Sequence, residues 1–291
     1  MEFQQIGTLQ FVYMIIGLIL FLTVPLAIAL VWKFRKKERF TTILVGAGTF
    51  LLFALILEKP IQNVLLFPTT MGLPEHPIAQ FISARPLLLA FLVGLFPGLF
   101  EETGRLVAYL TVLKKRRNRE TSISYGIGHG GFEVMLILGL TYFEYIMYAV
   151  MINSGAFAQM VEQVKELAPD QVSAMTDLAD TLAKFSLGDL SINAVERIFA
   201  VLFHVGASIM VFYAVKDKKK FWLYPLAIAV HTIMDAIVGM LMFGVIDIPM
   251  WGMEIIIAVI GIAVFGGAFF LLYKKDSDTI EASKTEPVKE A

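Results

Sequence analysis

"FVYMIIGLILFLTVPLAIALVW", residues 11–32, is a run of 22 residues without a charged side chain. At about 1.5 Å per residue, an α-helix of this length spans the roughly 30 Å hydrocarbon core of a bilayer. No basic segment precedes the run and no small-residue cleavage site follows it, so we expect it to be retained as a signal anchor. The stretch therefore predicts a membrane-spanning helix near the start of the chain.

The whole chain has the composition of a polytopic membrane protein. Its 291 residues are 57% hydrophobic and 17% charged, with a mean hydropathy of +0.73, which exceeds what the core of a soluble domain needs. A net charge of −1 argues against nucleic acid as a partner. The lack of cysteine excludes thiol catalysis and cysteine-ligated metal sites. We expect a multi-pass protein of the cell membrane, in contact with the lipid bilayer.

Seven apolar segments are long enough to cross a bilayer, which predicts an all-α bundle of about seven transmembrane helices. Basic residues cluster after the first, third, fifth and seventh segments. By the positive-inside rule those clusters lie in the cytoplasm, so we expect the amino terminus outside and the carboxyl terminus in the cytoplasm. The segments cover 8–32, 40–58, 84–113, 121–151, 191–215, 221–245 and 250–273.

We expect residues 1–275 to form a single transmembrane helical domain. The outer loop at about 152–190 has apolar residues at helical spacing on both sides of Pro169, which predicts two short amphipathic helices. These helices either pack on the outer ends of the bundle or form an interfacial lid over a substrate path. The polar segment 276–291 predicts a disordered cytoplasmic tail.

Ionisable side chains inside four of the predicted helices indicate a functional site. Each costs at least about 2.5–3.5 kcal/mol at bilayer depth, so such residues are retained mainly where they meet a partner or a cavity. Counted from the basic end of each helix, they lie about 13–22 Å deep, in one layer. Independent accidents would scatter in depth, so we predict a single polar site. Its members are Glu101, Glu102, Arg105, His129, Glu133, His204, His231 and Asp235.

Three of these helices carry their polar residues four positions apart, which places each pair on one helix face. Glu102 is rotated by about 100° from Glu101, so one glutamate is the reactive group and the other a support. Two residues of the predicted site could instead have a purely structural role. Arg105 would then only neutralise Glu101, and His204 would be a core histidine bound to a backbone carbonyl. The pairs are Glu101 with Arg105, His129 with Glu133, and His231 with Asp235.

The residue types favour hydrolysis of a peptide bond. A carboxylate poised between burial and a nearby arginine can act as a general base for water, and a histidine with an aspartate four residues on can stabilise an oxyanion. The sequence has no HExxH motif, so we predict that no metal cofactor is strictly required. A divalent ion, if one binds, would be held by the O and N ligands of this layer. Those ligands are Glu101, His129, His204 and His231.

Four motifs follow one another on successive helices. They are "EETGR" at 101–105, "GIGHGGFE" at 126–133, "FHVGAS" at 203–208 and "HTIMD" at 231–235. Their types and order resemble the CAAX-protease and bacteriocin-processing superfamily, most closely its PrsW and YhfC branches. The resemblance covers about 135 residues, from Glu101 to Asp235.

The resemblance implies a glutamic-type intramembrane endopeptidase acting on a membrane protein or a lipid-anchored peptide. It implies that Glu101 is the general base, that His129 or Glu133 assists it, and that His231 with Asp235 holds the oxyanion. Two features depart from the CAAX-processing branch: the arginine follows the first glutamate by four residues instead of five, and Asp235 replaces an asparagine. An ionised Asp235 would repel an oxyanion, so it must be protonated or must orient His231.

Two other classes of protein use similar residues. A proton-coupled secondary transporter also places carboxylates and histidines at mid-depth, but the chain has no internal repeat and an odd number of spans. A non-catalytic scaffold or immunity protein would keep the site without turnover. Replacing Glu101 by alanine separates these classes, because a scaffold tolerates the change and an enzyme does not.

Overall fold

The computed structural model describes residues 2–280, which are helical and contain no strand. Seven helices in this range are long and apolar enough to cross a membrane, which confirms the predicted all-α, multi-pass class. The orientation of the two termini stays a prediction from the charge distribution. The spans are Thr8–Lys36, Phe40–Leu66, Pro86–Leu110, Glu120–Ser154, Leu187–Lys216, Lys218–Met242 and Met250–Tyr273.

The α-helices of the described residues are numbered in chain order. Segments of π-helix extend α2 over Leu51–Glu58 and α11 over Phe269–Tyr273. The bounds are α1 Thr8–Lys36, α2 Phe40–Phe50, α3 Lys59–Leu66, α4 Pro77–Ser83, α5 Pro86–Leu110, α6 Glu120–Ser154, α7 Ala156–Leu167, α8 Val172–Ala183, α9 Leu187–Lys216, α10 Leu223–Met242 and α11 Met250–Ala268.

The second span is longer than the sequence predicts. The apolar segment ends at Glu58, but the helix continues without a break through α3 to Leu66. The π-helical turns end beside Pro60, which lies in the first turn of α3. Local changes in helix winding are expected there, because proline removes a backbone hydrogen bond. Glu58 therefore lies inside a span and not at its end.

The chain divides into two compact units, one of Met1–Leu26 with Glu133–Val195 and one of Ala27–Phe132 with Glu196–Ala291. They are called the first and the second unit below. The single transmembrane domain over 1–275 stays a prediction, since both units are built from parts of the same long apolar helices.

Aromatic packing organises the first unit. The rings of Phe21 on α1 and Tyr142 on α6 have centroids 5.1 Å apart, and Tyr142 meets Phe185 at 5.9 Å. Helices α7 and α8 lie where two short amphipathic helices were predicted. Phe157 on α7 and Leu182 on α8 are fully buried, as expected of helices that pack through their apolar faces.

Glycines let α5 and α10 approach closely in the second unit. A Cβ added at Gly94 would lie 2.5 Å from the carbonyl oxygen of Thr232, and one at Gly98 would lie 2.5 Å from its hydroxyl oxygen. Both distances are too short for a carbon atom, so only glycine permits this approach. The contact brings Glu101, one turn beyond Gly98, beside His231 on α10.

The core of the second unit is an aromatic cluster between α5, α6 and α9. Tyr109 lies with its ring centroid 4.9 Å from that of Tyr125 and 5.4 Å from that of Phe212. Tyr125 also stacks on the ring of His129, with centroids 6.0 Å apart. A polar residue of the predicted site therefore rests directly on a tightly packed core.

The beginning of the predicted disordered tail is bound to the second unit. The Tyr213 hydroxyl donates to Asp276 at 2.6 Å, and Lys216 pairs with the same carboxylate at 2.5 Å. The backbone N–H of Arg119 donates to the carbonyl oxygen of Asp278 at 2.9 Å. The rest of the predicted tail, residues 281–291, lies outside the described residues.

Candidate active site

Four helices of the second unit bring the predicted site residues around one carboxylate oxygen. Oε2 of Glu101 on α5 lies 2.9 Å from Nε2 of His129 on α6, 3.9 Å from Nδ1 of His204 on α9, and 4.0 Å from Nε2 of His231 on α10. Nη2 of Arg105 lies 3.8 Å from the same oxygen. Residues that the sequence placed at a common depth therefore meet in one place.

His129 sets the orientation of Glu101. A carboxylate oxygen only accepts hydrogen bonds, so the 2.9 Å contact requires that His129 donates from Nε2. The imidazole is fully buried, and its edge contacts the ring of Phe50 at a centroid distance of 5.3 Å. The donor is therefore held by packing, and it holds Glu101 in turn.

Glu102 has a different environment from its neighbour. Its Oε1 accepts hydrogen bonds from the Arg105 guanidinium and, at 2.8 Å, from Nδ1 of His231. The Glu102 side chain is 0% exposed, whereas the Glu101 side chain is 7% exposed. Both glutamates are buried, and Glu102 is the more deeply buried and the more closely paired of the two.

His231 lies between two carboxylates. Its Nδ1 donates to Glu102 at 2.8 Å, and its Nε2 is 3.4 Å from Oδ2 of Asp235, one turn later on α10. The Asp235 side chain is 29% exposed, much more than the other carboxylates of the group. Its contact with the ring nitrogen matches the interpretation in which Asp235 orients His231.

Arg105 pairs with Glu101, as the sequence predicts, and more closely with a second glutamate. Its guanidinium lies 3.8 Å from the carboxylate of Glu101, four residues earlier, and makes a shorter contact with Glu102, three residues earlier. Both spacings put residues on the same helix face, so neighbouring helices decide between them. Arg105 also donates from Nη2 to Nδ1 of His204 at 2.6 Å. His204 is thus part of the charged cluster and not an isolated core histidine.

Replacing Arg105 by alanine is expected to destabilise the protein. The change leaves the fully buried Glu102 carboxylate without its guanidinium partner, and breaking a buried ion pair in this way costs about 3–5 kcal/mol. Thermal unfolding in detergent measures the effect. Arg85→Ala is the matched control, because Arg85 is exposed at the start of the same helix. Equal unfolding temperatures for the two variants would show that the buried pair contributes nothing to stability.

Two glutamates need separate description. Glu133 lies one turn after His129 on α6 and belongs to the first unit, whereas the other seven predicted residues belong to the second unit. Glu58, which sequence reasoning missed, is 1% exposed, and the Lys59 ammonium lies 3.4 Å from its carboxylate. Glu58 and Gln62 are four residues apart, so they share one helix face, and this spacing could have indicated a polar position within the span. It was missed because the predicted span ended at Glu58.

The residues of the site fit a divalent metal ion. Ligand atoms of Glu101, His204 and His231 all lie within 4.8 Å of one another, and one carboxylate with two imidazoles is a donor set of catalytic zinc sites. Glu102 holds the second nitrogen of His231, as carboxylates often do for metal-bound histidines. Coordination through Nδ1 of His204 would require Arg105 to release that atom. His129, predicted as a fourth ligand, donates to Glu101 instead.

Comparison with known proteins places the chain among membrane proteases. A family model described as YhfC intramembrane metalloprotease matches residues 18–257. Membrane protein YhfC of Bacillus subtilis (strain 168) is 29% identical over 245 residues, which cover 84% of this chain and 89% of the relative. No solved structure matches the chain. Because the match spans most of the chain and includes every residue from Glu101 to Asp235, the chain belongs to the YhfC family of intramembrane metalloproteases.

Proposed function

We propose that the protein is an endopeptidase that hydrolyses peptide bonds of membrane-associated proteins, with Glu101 as the proton acceptor of the attacking water. The observation that carries the proposal is the position of one Glu101 oxygen within 4.0 Å of nitrogens from three histidines. The family description supports the reaction class. The likeness of the motifs to the CAAX-protease and bacteriocin-processing superfamily supports the role of the glutamate.

Glu101 is better suited than Glu102 to accept a proton from water. A general base must be reached by the water that it deprotonates, and the Glu101 side chain is the more exposed of the two. Arg105 and His231 both bind Oε1 of Glu102 directly, so that oxygen already accepts two hydrogen bonds. Glu101 has the histidine donor His129 at 2.9 Å and the guanidinium only at 3.8 Å.

We assign His231 to the oxyanion that forms when water attacks the peptide carbonyl. Glu102 fixes the ring through Nδ1, so Nε2 points towards Asp235 and Glu101. In the imidazolium form His231 carries a hydrogen on both nitrogens, so Nε2–H donates a hydrogen bond to the developing oxyanion while Nδ1–H stays on Glu102. A donor already in place stabilises the transition state more than the substrate. Asp235 holds that proton in position before the substrate enters.

A divalent ion would be held at the same place by Glu101, His204 and His231. When bound, such an ion polarises the peptide carbonyl and makes a bound water more acidic. His129 would still orient Glu101 and Glu102 would still orient His231, whereas Nε2 of His231 would be a ligand and would carry no hydrogen for the oxyanion.

Metal removal distinguishes a glutamic-type reaction from a metal-dependent one. We expect purified, metal-free protein to bind added Zn²⁺ and to lose this binding when His204 and His231 are both replaced by alanine, as measured by calorimetry. We also expect cleavage to survive chelation, because a carboxylate base does not require an ion. Complete loss of cleavage that zinc restores would refute the glutamic-type assignment.

The proposed function is tested by comparing the proteins of membranes that carry the wild-type chain or Glu101→Gln. We expect uncleaved forms of membrane proteins to accumulate in the variant. Glu254→Gln is the matched control, because Glu254 is also a buried glutamate but lies on α11. Identical protein profiles in all three membranes would refute the protease. Loss of proton-coupled uptake in Glu101→Gln without any change in cleavage would identify a transporter, and unchanged behaviour in every assay would identify a scaffold.

A further inference from the structure

We propose that Glu58 determines substrate specificity by accepting the cationic side chain of a lysine or arginine next to the scissile bond. The proposal rests on the proposed function and adds the substrate class to it. Glu58 is the last residue of the π-helical segment Leu51–Glu58, and π-helical turns are frequent at functional sites.

The second span and α5 run antiparallel to each other. Phe53 faces Gly104, where an added Cβ would lie 2.7 Å from a ring carbon of the phenylalanine. Further along the second span, Nε2 of Gln62 donates to the carbonyl oxygen of Val93 at 3.3 Å. Later residues of the second span therefore face earlier residues of α5.

This register places Glu58 close to the reacting centre. Glu58 precedes Gln62 by four residues, so it is level with Pro97, one helical turn or about 6 Å along the axis from Glu101. Pro97 has no N–H, which leaves the carbonyl of Val93 without its donor within the helix. Gln62 supplies that hydrogen bond. The bond fixes the position of Glu58 along the axis of α5.

The Glu58 carboxylate is short of hydrogen-bond donors. The residue is 1% exposed, and its Oε2 accepts no hydrogen bond from any residue in the described range 2–280. The ammonium of Lys59 lies 3.4 Å from Oε1, but that side chain is 49% exposed and also donates to Gln62. An exposed and shared cation is a weak partner, while a buried carboxylate without donors is costly. A donor brought by a ligand removes this cost.

The charges around Glu58 favour a cationic ligand. Glu58 lies about one helical turn along the axis from Glu101, so the two carboxylates are near each other. A lysine or arginine side chain entering here is attracted by both, whereas an acidic side chain is repelled. Membrane proteins carry lysine and arginine at the ends of their spans, so such residues are common in the class of substrate proposed above.

Binding without turnover tests the proposal. The probes are transmembrane peptides that differ only in one residue, which is lysine, glutamine or glutamate and is placed at successive positions. Their binding to detergent-solubilised Glu101→Gln protein is measured by fluorescence anisotropy. We expect about tenfold tighter binding of the lysine peptide than of the glutamine peptide at one position. Adding Glu58→Gln should abolish this preference by weakening only the lysine peptide, while adding Glu58→Asp should preserve it. The control Glu254→Gln should bind like the parent protein.

The outcomes separate the two proposals. A lysine preference that persists unchanged in Glu58→Gln overturns the assignment of Glu58. Equal binding of all three peptides by the parent protein overturns it too, even where Glu58→Gln does not fold. If the wild-type chain cleaves none of the peptides but the lysine preference depends on Glu58, the proposed peptidase activity fails while the cation site stands.

Discussion

Glu101→Gln is expected to lower single-turnover cleavage of a membrane substrate by at least about a hundredfold while the protein still folds. Glutamine keeps the shape of the side chain and still accepts the hydrogen bond from His129, which the structure places at 2.9 Å. It cannot take a proton from water. Substrate binding should persist, so the loss should appear in the rate of the chemical step. Rapid mixing of excess purified enzyme with a labelled substrate measures that rate directly.

Glu102→Gln is the informative comparison for this prediction. Glu102 is 0% exposed and pairs with Arg105 and His231, so its replacement should lower the unfolding temperature more than Glu101→Gln does. If Glu101→Gln cleaves at nearly the wild-type rate and Glu102→Gln does not, the roles of the two glutamates are exchanged. If both variants cleave normally, the chain is not a glutamic-type protease.

His231→Ala is expected to lower turnover by about a hundredfold or more, because a single preorganised oxyanion donor contributes about 10²–10³ in rate. Folding should survive, since Glu102 keeps its ion pair with Arg105. The loss should lie in kcat and not in KM, because the oxyanion exists only in the transition state. Steady-state cleavage over a range of substrate concentrations separates the two constants.

His76→Ala is the control for the loss of an imidazole elsewhere in the chain. His76 lies at the start of α4, where its Nδ1 accepts the backbone N–H of Ala79. We expect wild-type kcat from this variant. Near wild-type kcat from His231→Ala as well would remove His231 from the oxyanion role, and His231→Gln then tests whether any donor at that position matters.

The spans and the depth of the polar residues could be predicted from the sequence because both depend on local properties. A membrane helix satisfies its own backbone hydrogen bonds, so an apolar run such as residues 11–32 is sufficient to predict it. The regular rise of the helix then converts sequence spacing into depth. Glu101, His129, His204 and His231 were placed in one layer in this way, and they meet around one carboxylate oxygen.

The end of the second span could not be predicted in the same way. Glu58 and Lys59 interrupt the apolar pattern, and hydropathy places such residues at a membrane boundary. In the structure the helix continues to Leu66 through π-helical turns, and Gln62 binds a carbonyl that Pro97 leaves without a donor. This hydrogen bond joins two different helices, so it cannot be predicted from the sequence of either helix alone.

The sequence by itself determined the membrane class, the seven spans and the group of polar residues at one depth, because hydrophobicity and helical rise act along a single helix. Only the tertiary structure decided that Glu101 binds His129, and that Glu102 binds His231 and makes the shorter contact with Arg105. Glu101 and Glu102 differ by about 100° of rotation about the same axis. The contacts with His129 on α6 and His231 on α10 distinguish the two directions, and those contacts depend on how closely the helices pack.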